Sequence, residues 1–232
     1  NASNYTSTKR KQGFKKKNIH KIYNKPLIAF TIEEALKTKK IDEIIVSTDC
    51  EEIAEISKKY GATVPFLRPK RLAKDSSDSI DVYKYTIKEL EKKNKKIYNN
   101  FISLLPTCPL RNYKDINNAI NIFFKKKADS VISVTEAAYP IEWNLSISNN
   151  GNLKKIFKHS NNTKNRQKFK TLYIPNGGIY IFSKAKIFNN KEFYFKKTYS
   201  YIMPKERSID IDDKFDLDLA KIIIKRNIDK KN

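Results

Sequence analysis

Two aspartates near the carboxyl end of the chain, Asp210 and Asp212, form the sharpest chemical pattern in the sequence. They stand two residues apart in the run Ser-Ile-Asp-Ile-Asp, and on an extended segment such residues project to the same face. Two carboxylates aimed at one point suit a hard cation such as Mg²⁺ that bridges to phosphate oxygens. A solvent-exposed strand end before a helix explains the same pair, because aspartate is favourable in a first helical turn. The spacing alone leaves both interpretations open.

Two further segments combine turn-forming residues with groups that can face a ligand. The run Leu-Leu-Pro-Thr-Cys-Pro-Leu-Arg at 104–111 predicts a rigid turn after a buried strand, which presents backbone amides and the Thr107 hydroxyl. Composition by itself favours a purely structural turn there. Asn176 precedes two glycines, which predicts a tight turn with positive φ and close backbone approach. A plain hairpin turn is the alternative for that segment.

The elements that must position these segments alternate between helical and strand periods from Pro26 onward. This alternation predicts βα units, an α/β fold and a largely parallel sheet in one domain. The predicted helices centre on 28–36, 53–60, 80–90, 116–123 and 213–226, and the predicted strands on 44–46, 62–66, 101–105 and 130–134. After Ala137 shorter strands follow, with polar loops between them. Because open parallel sheets bind ligands at the carboxyl edge of their strands, 47–49, 106–109 and 208–212 are the segments where we expect the site.

The charge of the chain is strongly positive, with 48 Lys and Arg against 25 Asp and Glu and a formal net charge of +23. Such a charge fits nucleic acid, a membrane surface or an anionic small molecule. The basic residues are scattered, however, and no recognition helix, RNA-binding strand motif or zinc site accompanies them. No apolar run approaches the roughly 20 residues of a membrane span, and no signal peptide opens the chain. We therefore expect a protein that binds neither nucleic acid nor a membrane. Because the only two cysteines, Cys50 and Cys108, are widely spaced and form no disulfide pattern, we expect it to be cytoplasmic.

A series of segments in fixed order resembles the CMP-sialic acid synthetase family. The resemblance covers roughly Lys15 to the end of the last predicted helix. Single segments are weak signals, but their shared order makes the resemblance specific. The matching segments include KKN at 16–18, KPLIAFTIEEAL at 25–36, IIVSTD at 44–49, PTCPLR at 106–111, PNGGIYIF at 175–182 and MPKERSIDID at 203–212.

The resemblance implies a Rossmann-like, mainly parallel sheet with helices on both faces, in a single domain over residues 1–232. It also implies a small β-rich dimerisation arm at about residues 140–170 and therefore a homodimer. The implied reaction transfers CMP from CTP to the anomeric hydroxyl of a nonulosonic acid, an acidic nine-carbon sugar, and releases pyrophosphate. Mg²⁺ is the implied cofactor, since the protein's part in such a transfer is to position groups and neutralise charge.

Residues that match the family's functional positions fall into three groups. Asp210 and Asp212 match the metal-binding pair and, together with Lys17 toward the phosphates, form the implied catalytic group. The residues implied to bind the nucleotide are Asn18, Arg68 and Ser79. The residues implied to line the sugar pocket are Arg166, Asn176, Tyr180, Phe193 and Tyr194, the last two contributed by a neighbouring subunit.

The amino-terminal segment departs from the family pattern. The family opens with an apolar strand and a phosphate loop of the form A-R-x-x-S-K-G, of which only Gly13 is kept in the ungapped register. We expect Arg10, beside two lysines, to supply substitute positive charge to the nucleotide. Leu105 stands where many members carry a glutamine that contacts the substrate, so the resemblance does not fix the identity of the sugar. The altered loop also supports a second hypothesis, in which the chain is a catalytically impaired relative that serves as a nucleotide-sugar binding or scaffold protein.

Overall fold

A mixed four-stranded sheet lies at the centre of the computed structural model, which describes residues 17–74, 76–157 and 165–229. The strands are β1 (Lys21–Ile22), β2 (Lys25–Pro26), β3 (Asn100–Ser103), β4 (Ser130–Glu136), β5 (Leu145–Ile147), β6 (Leu153–Lys155), β7 (Tyr173–Ser183) and β8 (Thr198–Ile202). The α-helices are α1 (Leu27–Leu36), α2 (Glu51–Lys59), α3 (Ser79–Asn94), α4 (Tyr113–Lys125), α5 (Lys184–Asn189) and α6 (Lys214–Asp229). The α/β class that the sequence predicts is therefore confirmed.

The central sheet has the strand order β3-β7-β4-β8 and is not mainly parallel across the described strands. β7 is antiparallel to both of its neighbours, and only β4 and β8 pair in parallel. The reason is visible at the end of β4, where Glu136 pairs with Tyr173 at the start of β7. The two strands thus form one long hairpin whose connection carries the β5–β6 pair, and a hairpin connection makes its strands antiparallel.

Two strands predicted near the start of the chain are reduced to a single parallel bridge between Ile45 and Thr63. Two backbone bonds support the bridge, from Val46 N to Thr63 O at 2.9 Å and from Thr63 N to Ile44 O at 2.8 Å. Apolar side chains of this segment pack with Ile28 of α1 and its neighbours. The segment therefore still forms part of the core, although it pairs over a shorter length than the sequence predicts.

From Asn176 onward β7 is largely buried on both faces, and its alternating side chains divide the core into two layers. Ile179 and Ile181 face α4, where they pack in one cluster with Ile116 and Val131. Phe182 faces α3 and α5 and forms a second cluster, with Tyr180 and other aromatic rings packed against it. This alternation places Tyr180 on the α3 side of the sheet, next to the segment that carries Asp210.

Helix α6 is amphipathic, but the sequence predicts an apolar face on Phe215, Leu219, Ile222 and Ile223, and of these four only Ile223 packs against the buried cluster. The buried residues are Leu217, Ala220 and Ile224, whereas Phe215 is 75% exposed and Ile222 is 65% exposed. The helix carries two apolar stripes at helical spacing, and the stripe that meets Leu27 and Ile211 is the buried one. No helix in the described ranges is both long and apolar enough to cross a membrane.

Candidate active site

Asp210 and Asp212 lie on an extended segment, residues 208–212, that we call the acidic strap. It connects the 3-10 turn Lys205–Arg207 with α6. Ile211 anchors the middle of the strap: its side chain is 1% exposed and its backbone N–H donates to Thr107 O at 2.8 Å. With Ile211 turned into the core, the carboxylates on either side of it lie close enough for the charge of Asp212 to act on Asp210.

The Asp210 carboxylate is half-buried and incompletely paired. Its Oδ1 atom is buried without a hydrogen-bond partner. Burial raises the pKa of Asp210, and the negative charge of Asp212 raises it further, while a hydrogen bond from Thr107 and the charge of Lys17 oppose the change. An unpaired oxygen in such a place is costly unless a cation or donor meets it. Asp210 Oδ1 is therefore an acceptor that a cation or a hydrogen-bond donor could meet.

Lys17 joins the two aspartates, as the sequence predicts for this group. Its Nζ atom lies 3.0 Å from Asp212 Oδ1, while the side chain of Asp212 is 81% exposed. Lys17 belongs to the 3-10 turn Lys17–Ile19, which packs against α1 and α2. Residues 195 positions apart in the chain thus meet at one edge of the fold.

A bulge in β7 supports the strap from below. The predicted turn at Asn176 is wrong in form, because the residue lies inside the 11-residue strand, but the predicted positive φ is found at Gly177, at +71°. The pairing of β4 with β7 shifts register here, as a bulge requires. A Cβ atom on Gly177 would lie 2.8 Å from Asp210 Oδ2. Glycine is needed because the backbone both adopts a left-handed conformation and touches the carboxylate.

Asn176 is only 5% exposed, and its amide holds the strap. The Oδ1 atom accepts from Ser133 Oγ at 2.6 Å and from Gly178 N at 3.1 Å. Nδ2 donates to Ser208 Oγ at 2.8 Å, at the first residue of the strap. The structure therefore places this residue, predicted to line the sugar pocket, in the layer beneath Asp210.

Arg111 is a second support that the sequence did not identify as part of the site. Its side chain is 1% exposed, and Nη1 donates to Leu105 O at 3.2 Å and to Gly178 O at 2.7 Å. Nη2 donates to Thr31 Oγ1 at 2.7 Å. Burial lowers the pKa of this guanidinium. Arg111 thus ties the turn after β3 to the β7 bulge and to α1. Its place at the end of the PTCPLR segment was the only sequence signal for this role.

Asp115 and Arg207 form a partly buried ion pair that the sequence also missed. Asp115, in the first turn of α4, is 1% exposed. Arg207 Nε lies 2.9 Å from Asp115 Oδ2 and Nη2 lies 2.8 Å from Oδ1, so the contact is bidentate. Hydrogen bonding to Asp115 raises the pKa of Arg207. The arginine immediately precedes the strap, which makes the pair its anchor to α4.

An aromatic wall stands beside Asp210 on the α3 side of β7. Tyr180 is half-buried, and its ring centroid lies 6.2 Å from that of Phe193. Burial raises the pKa of the Tyr180 phenol, and nearby Tyr194 adds to this. Tyr194 is 62% exposed. Phe193 therefore packs against Tyr180 of its own chain, and the contribution of Phe193 and Tyr194 to the pocket of a neighbouring subunit stays a prediction.

The side chains predicted to hold the nucleotide lie on other elements. Asn18 follows Lys17 in the same 3-10 turn, and Ser79 is the exposed first residue of α3, whose N-cap is Asp78. Arg68 has a buried Nε atom without a hydrogen-bond partner, while its backbone N–H donates to Thr48 O at 2.7 Å. Arg10 lies outside the described residues.

Arg166 begins the 3-10 turn Arg166–Lys168 at the base of the arm and pairs with Glu136, the last residue of β4. Its Nη2 atom is 3.2 Å from Glu136 Oε1, and both side chains are about half exposed, at 48% and 45%. An exposed pair of this kind contributes little stability and is easily exchanged for another anion. The positive charge of Arg166 is thus accessible to an anionic ligand.

The residues present fit Mg²⁺ bound through the strap. Within the described ranges, no group of three or more His, Cys, Asp and Glu residues is arranged to hold a metal ion. Mg²⁺ in phosphate-transfer sites commonly takes only one or two carboxylates and completes its octahedron with phosphate oxygens and water. The unpaired Oδ1 of Asp210 and the exposed carboxylate of Asp212 match that pattern.

Comparisons with known proteins show which family the chain is similar to. A family model described as cytidylyltransferase matches residues 11–227. A pseudaminic acid cytidylyltransferase of Campylobacter jejuni is 33% identical over 213 residues, which cover 91% of this chain and 90% of that protein. A CMP-N,N'-diacetyllegionaminic acid synthase of Legionella pneumophila is 36% identical, with the same shares covered. An N-acylneuraminate cytidylyltransferase of Escherichia coli is 33% identical over 90% of this chain and 48% of its own length.

Solved structures share the fold at low sequence identity. A CMP:2-keto-3-deoxy-manno-octonic acid synthetase complexed with CTP matches with a TM-score of 0.62 at 13% identity, and the match covers 91% of this chain and 92% of that one. A 4-diphosphocytidyl-2C-methyl-D-erythritol synthase of Anaerococcus prevotii matches with a TM-score of 0.60 at 15% identity, with 90% and 93% covered. These likenesses establish the architecture that surrounds the strap.

Replacing Gly177 tests the close approach to Asp210. We expect Gly177→Ala to lower the free energy of unfolding by the cost of a left-handed alanine, about 1–2 kcal/mol, and by a further amount of about 1–3 kcal/mol for overlap with the carboxylate. Gly151→Ala is the matched control, because its φ is also positive, at +83°, but nothing lies within 4 Å of its Cβ position. Urea denaturation gives both values, and equal losses would contradict the close contact.

The pKa of Asp210 predicts a specific pH dependence for the metal-free protein. Because folding raises this pKa, the ionised carboxylate disfavours the folded state, and stability is regained as the pH falls through the folded-state pKa. Relative to Asp210→Asn, the wild type should therefore gain unfolding free energy as the pH is lowered from 7. Denaturation curves at several pH values measure this difference.

Glu91→Gln is a control of opposite sign for that experiment. A hydrogen bond from Lys184 lowers the pKa of Glu91, so this carboxylate stabilises the fold above its ordinary pKa and loses that effect as the pH falls. Relative to Glu91→Gln, the wild type should lose its advantage on acidification. A difference of the same sign for both variants would contradict the assignment for Asp210.

Proposed function

The chain belongs to the cytidylyltransferase family, and from this we propose that it transfers CMP from CTP to the anomeric hydroxyl of a nonulosonic acid, with release of pyrophosphate. The observation that carries the proposal is the convergence of Lys17, Asp210 and Asp212 from opposite ends of the chain. The relatives named above are two cytidylyltransferases and a CMP-N,N'-diacetyllegionaminic acid synthase. Two of them match over 90% of their length, which favours an enzyme over an impaired relative that only binds nucleotide sugars.

The strap and Lys17 act on the triphosphate. Asp210 and Asp212 would hold Mg²⁺, which would supply charge neutralisation for the phosphate oxygens. Lys17 pairs with Asp212, and its ammonium group would contact a phosphate oxygen of bound CTP. The chain's part is positional, because the sugar hydroxyl must approach the α-phosphorus in line with the leaving group.

Arg68 and Asn18 are our candidates for the nucleoside half of CTP. The buried and unpaired Nε of Arg68 is a hydrogen-bond donor that a cytosine or ribose oxygen satisfies. Asn18 adjoins Lys17 in the same turn, so it reaches the nucleoside while Lys17 reaches the phosphates. Ser79, exposed at the first turn of α3, adds a hydroxyl beside the amino end of that helix.

The sugar side of the site combines aromatic surface with positive charge. Tyr180, Phe193 and Tyr194 provide faces against which a sugar ring and its acyl substituents pack. Arg166 is our candidate for the sugar carboxylate, which would take the place of Glu136. The net charge of +23 favours the approach of both anionic substrates. The use of CTP and the two unpaired thiols suit a cytoplasmic enzyme.

The β5–β6 hairpin supports the proposal of a homodimer joined through the arm at about residues 140–170. Ile147 and Leu153 are directly opposite each other across the hairpin, and they are 72% and 64% exposed. An isolated two-stranded hairpin with bare apolar residues is marginally stable in water, so a second surface is needed to cover it. A second copy of the chain provides that surface in our proposal.

Turnover with CTP tests the proposed reaction. With Mg²⁺ and a panel of sialic, pseudaminic, legionaminic and octulosonic acids, we expect pyrophosphate release and a CMP-sugar detectable by mass spectrometry, with little product from ATP. Asp210→Asn and Asp212→Asn should each lower kcat at least about 100-fold, since each removes charge that stabilises the transition state. Asp218→Asn, an exposed carboxylate on α6 paired with Lys221, is the matched control. No product from any sugar would refute the proposal.

A charge placed on the exposed face of the arm tests the dimer. We expect the double variant Ile147→Lys with Leu153→Lys to shift the protein from dimer to monomer in size-exclusion chromatography with light scattering, because the interface would bury unpaired charge. Ser146→Lys adds a lysine to the same strand on its opposite face and should leave the mass unchanged. A wild-type monomer, or a dimer that survives the double variant, would contradict this assembly.

A further inference from the structure

We propose that Asp115 and Arg207 are positioning residues that set the affinity of the acidic strap for a divalent cation. Neither residue touches the expected cation, and both act through the strap backbone. The inference rests on the proposed function, because it concerns the cation held by Asp210 and Asp212. It adds two residues whose contribution is separable from their contribution to folding.

The Asp115 carboxylate is buried and accepts several hydrogen bonds, while the Arg207 side chain that it holds is 31% exposed. Both Asp115 oxygens accept from Arg207, as described above, and Oδ1 also accepts from Tyr201 OH at 2.8 Å. Oδ2 accepts in addition from the backbone N–H of Asn112 at 3.1 Å, within the capping box that begins α4. A carboxylate with this many fixed donors holds the guanidinium in one orientation.

The pair controls where the strap begins. Arg207 ends the 3-10 turn Lys205–Arg207, and Ser208, the next residue, is the first of the strap. The carbonyl of Arg207 accepts from Cys108 Sγ at 3.6 Å, while Ser208 Oγ donates to Pro204 O at 2.7 Å. Three residues on, Asp210 presents its unpaired oxygen. A shift of the arginine therefore moves the carboxylate through a short and otherwise fixed backbone.

The far end of the strap is held differently, and this makes the near end decisive. There the Asp216 side chain accepts from Asp212 N at 2.9 Å and from Asp213 N at 3.0 Å. Asp216 is thus a third negative charge close to Asp210 and Asp212, and the three repel one another when no cation is bound. Contacts outside this acidic group must therefore hold the carboxylates together before a cation binds, and the Asp115–Arg207 pair is the ion pair that does so at the beginning of the strap, beside the anchor at Ile211.

A purely structural role of the Asp115–Arg207 pair leads to a different expected result. If the pair only joins α4 to the turn after β8, its loss lowers stability and the fraction of folded protein, while each folded molecule binds the cation as before. If the pair positions the strap, the dissociation constant itself rises in the folded molecules. Outer partners of metal ligands typically affect affinity by about 10- to 100-fold.

The experiment measures Mn²⁺ binding by electron paramagnetic resonance, with the full chain and saturating CTP but no sugar, so that no turnover occurs. We expect Asp115→Asn to raise the Mn²⁺ dissociation constant by about 10- to 100-fold. Arg207→Lys should give an intermediate increase, because lysine restores the charge but not the bidentate contact. Glu91→Gln is the control, since it removes a different tertiary ion pair, with Lys184, and should leave the constant unchanged.

Each outcome is informative. Folded Asp115→Asn protein with the wild-type constant would overturn the inference, as would an equal increase in Glu91→Gln. If Asp115→Asn does not fold, Tyr201→Phe removes one donor from Asp115 and should raise the constant by a smaller factor, and no increase there would overturn the inference instead. A wild-type protein that binds CTP but no Mn²⁺ would overturn the proposed metal site and this inference with it. If the wild type binds Mn²⁺, the metal site stands, and the variants alone decide whether the Asp115–Arg207 pair positions the strap.

Discussion

Two like charges, Asp210 and Asp212, must be held at one place, and this electrostatic constraint explains much of the surrounding structure. Burial and mutual repulsion both favour the protonated form of Asp210. The fold resists this with contacts that act on the backbone: Ile211 is buried and bonded to Thr107, and Arg207 is fixed on Asp115. The free energy of packing elsewhere therefore maintains an arrangement of two carboxylates that is unfavourable by itself.

β7 links this site to the core because its two faces have different tasks. Ile179 and Ile181 pack against α4, while Tyr180 faces the site from the opposite side. The bulge at Gly177 brings the backbone of the same strand against the Asp210 carboxylate. Displacing the strand would disturb the core and the site together, so a strand buried on both faces gives the carboxylate a rigid floor.

The long hairpin of β4 and β7 also explains why a mainly parallel sheet was the wrong expectation. Alternating helical and strand periods indicate βα units, but they carry no information about the direction in which a strand enters the sheet. The chain leaves the sheet after β4, builds the β5–β6 arm and returns beside the strand it left. The arm is thus an insertion at the tip of a hairpin, and it can vary without changing the sheet.

Periodicity predicted the α/β class and the places of the main helices because it is a local signal of the sequence, and the resemblance to a known family implied the grouping of Lys17 with Asp210 and Asp212. The tertiary structure was needed to establish the strand directions, the face that α6 buries and the bulge at Asn176. It alone revealed Arg111, Asp115 and Arg207, because an arginine that is buried cannot be told by its sequence neighbours from one that is exposed. The contacts that fix the strap join residues tens of positions apart, and such pairings arise only when the whole core packs.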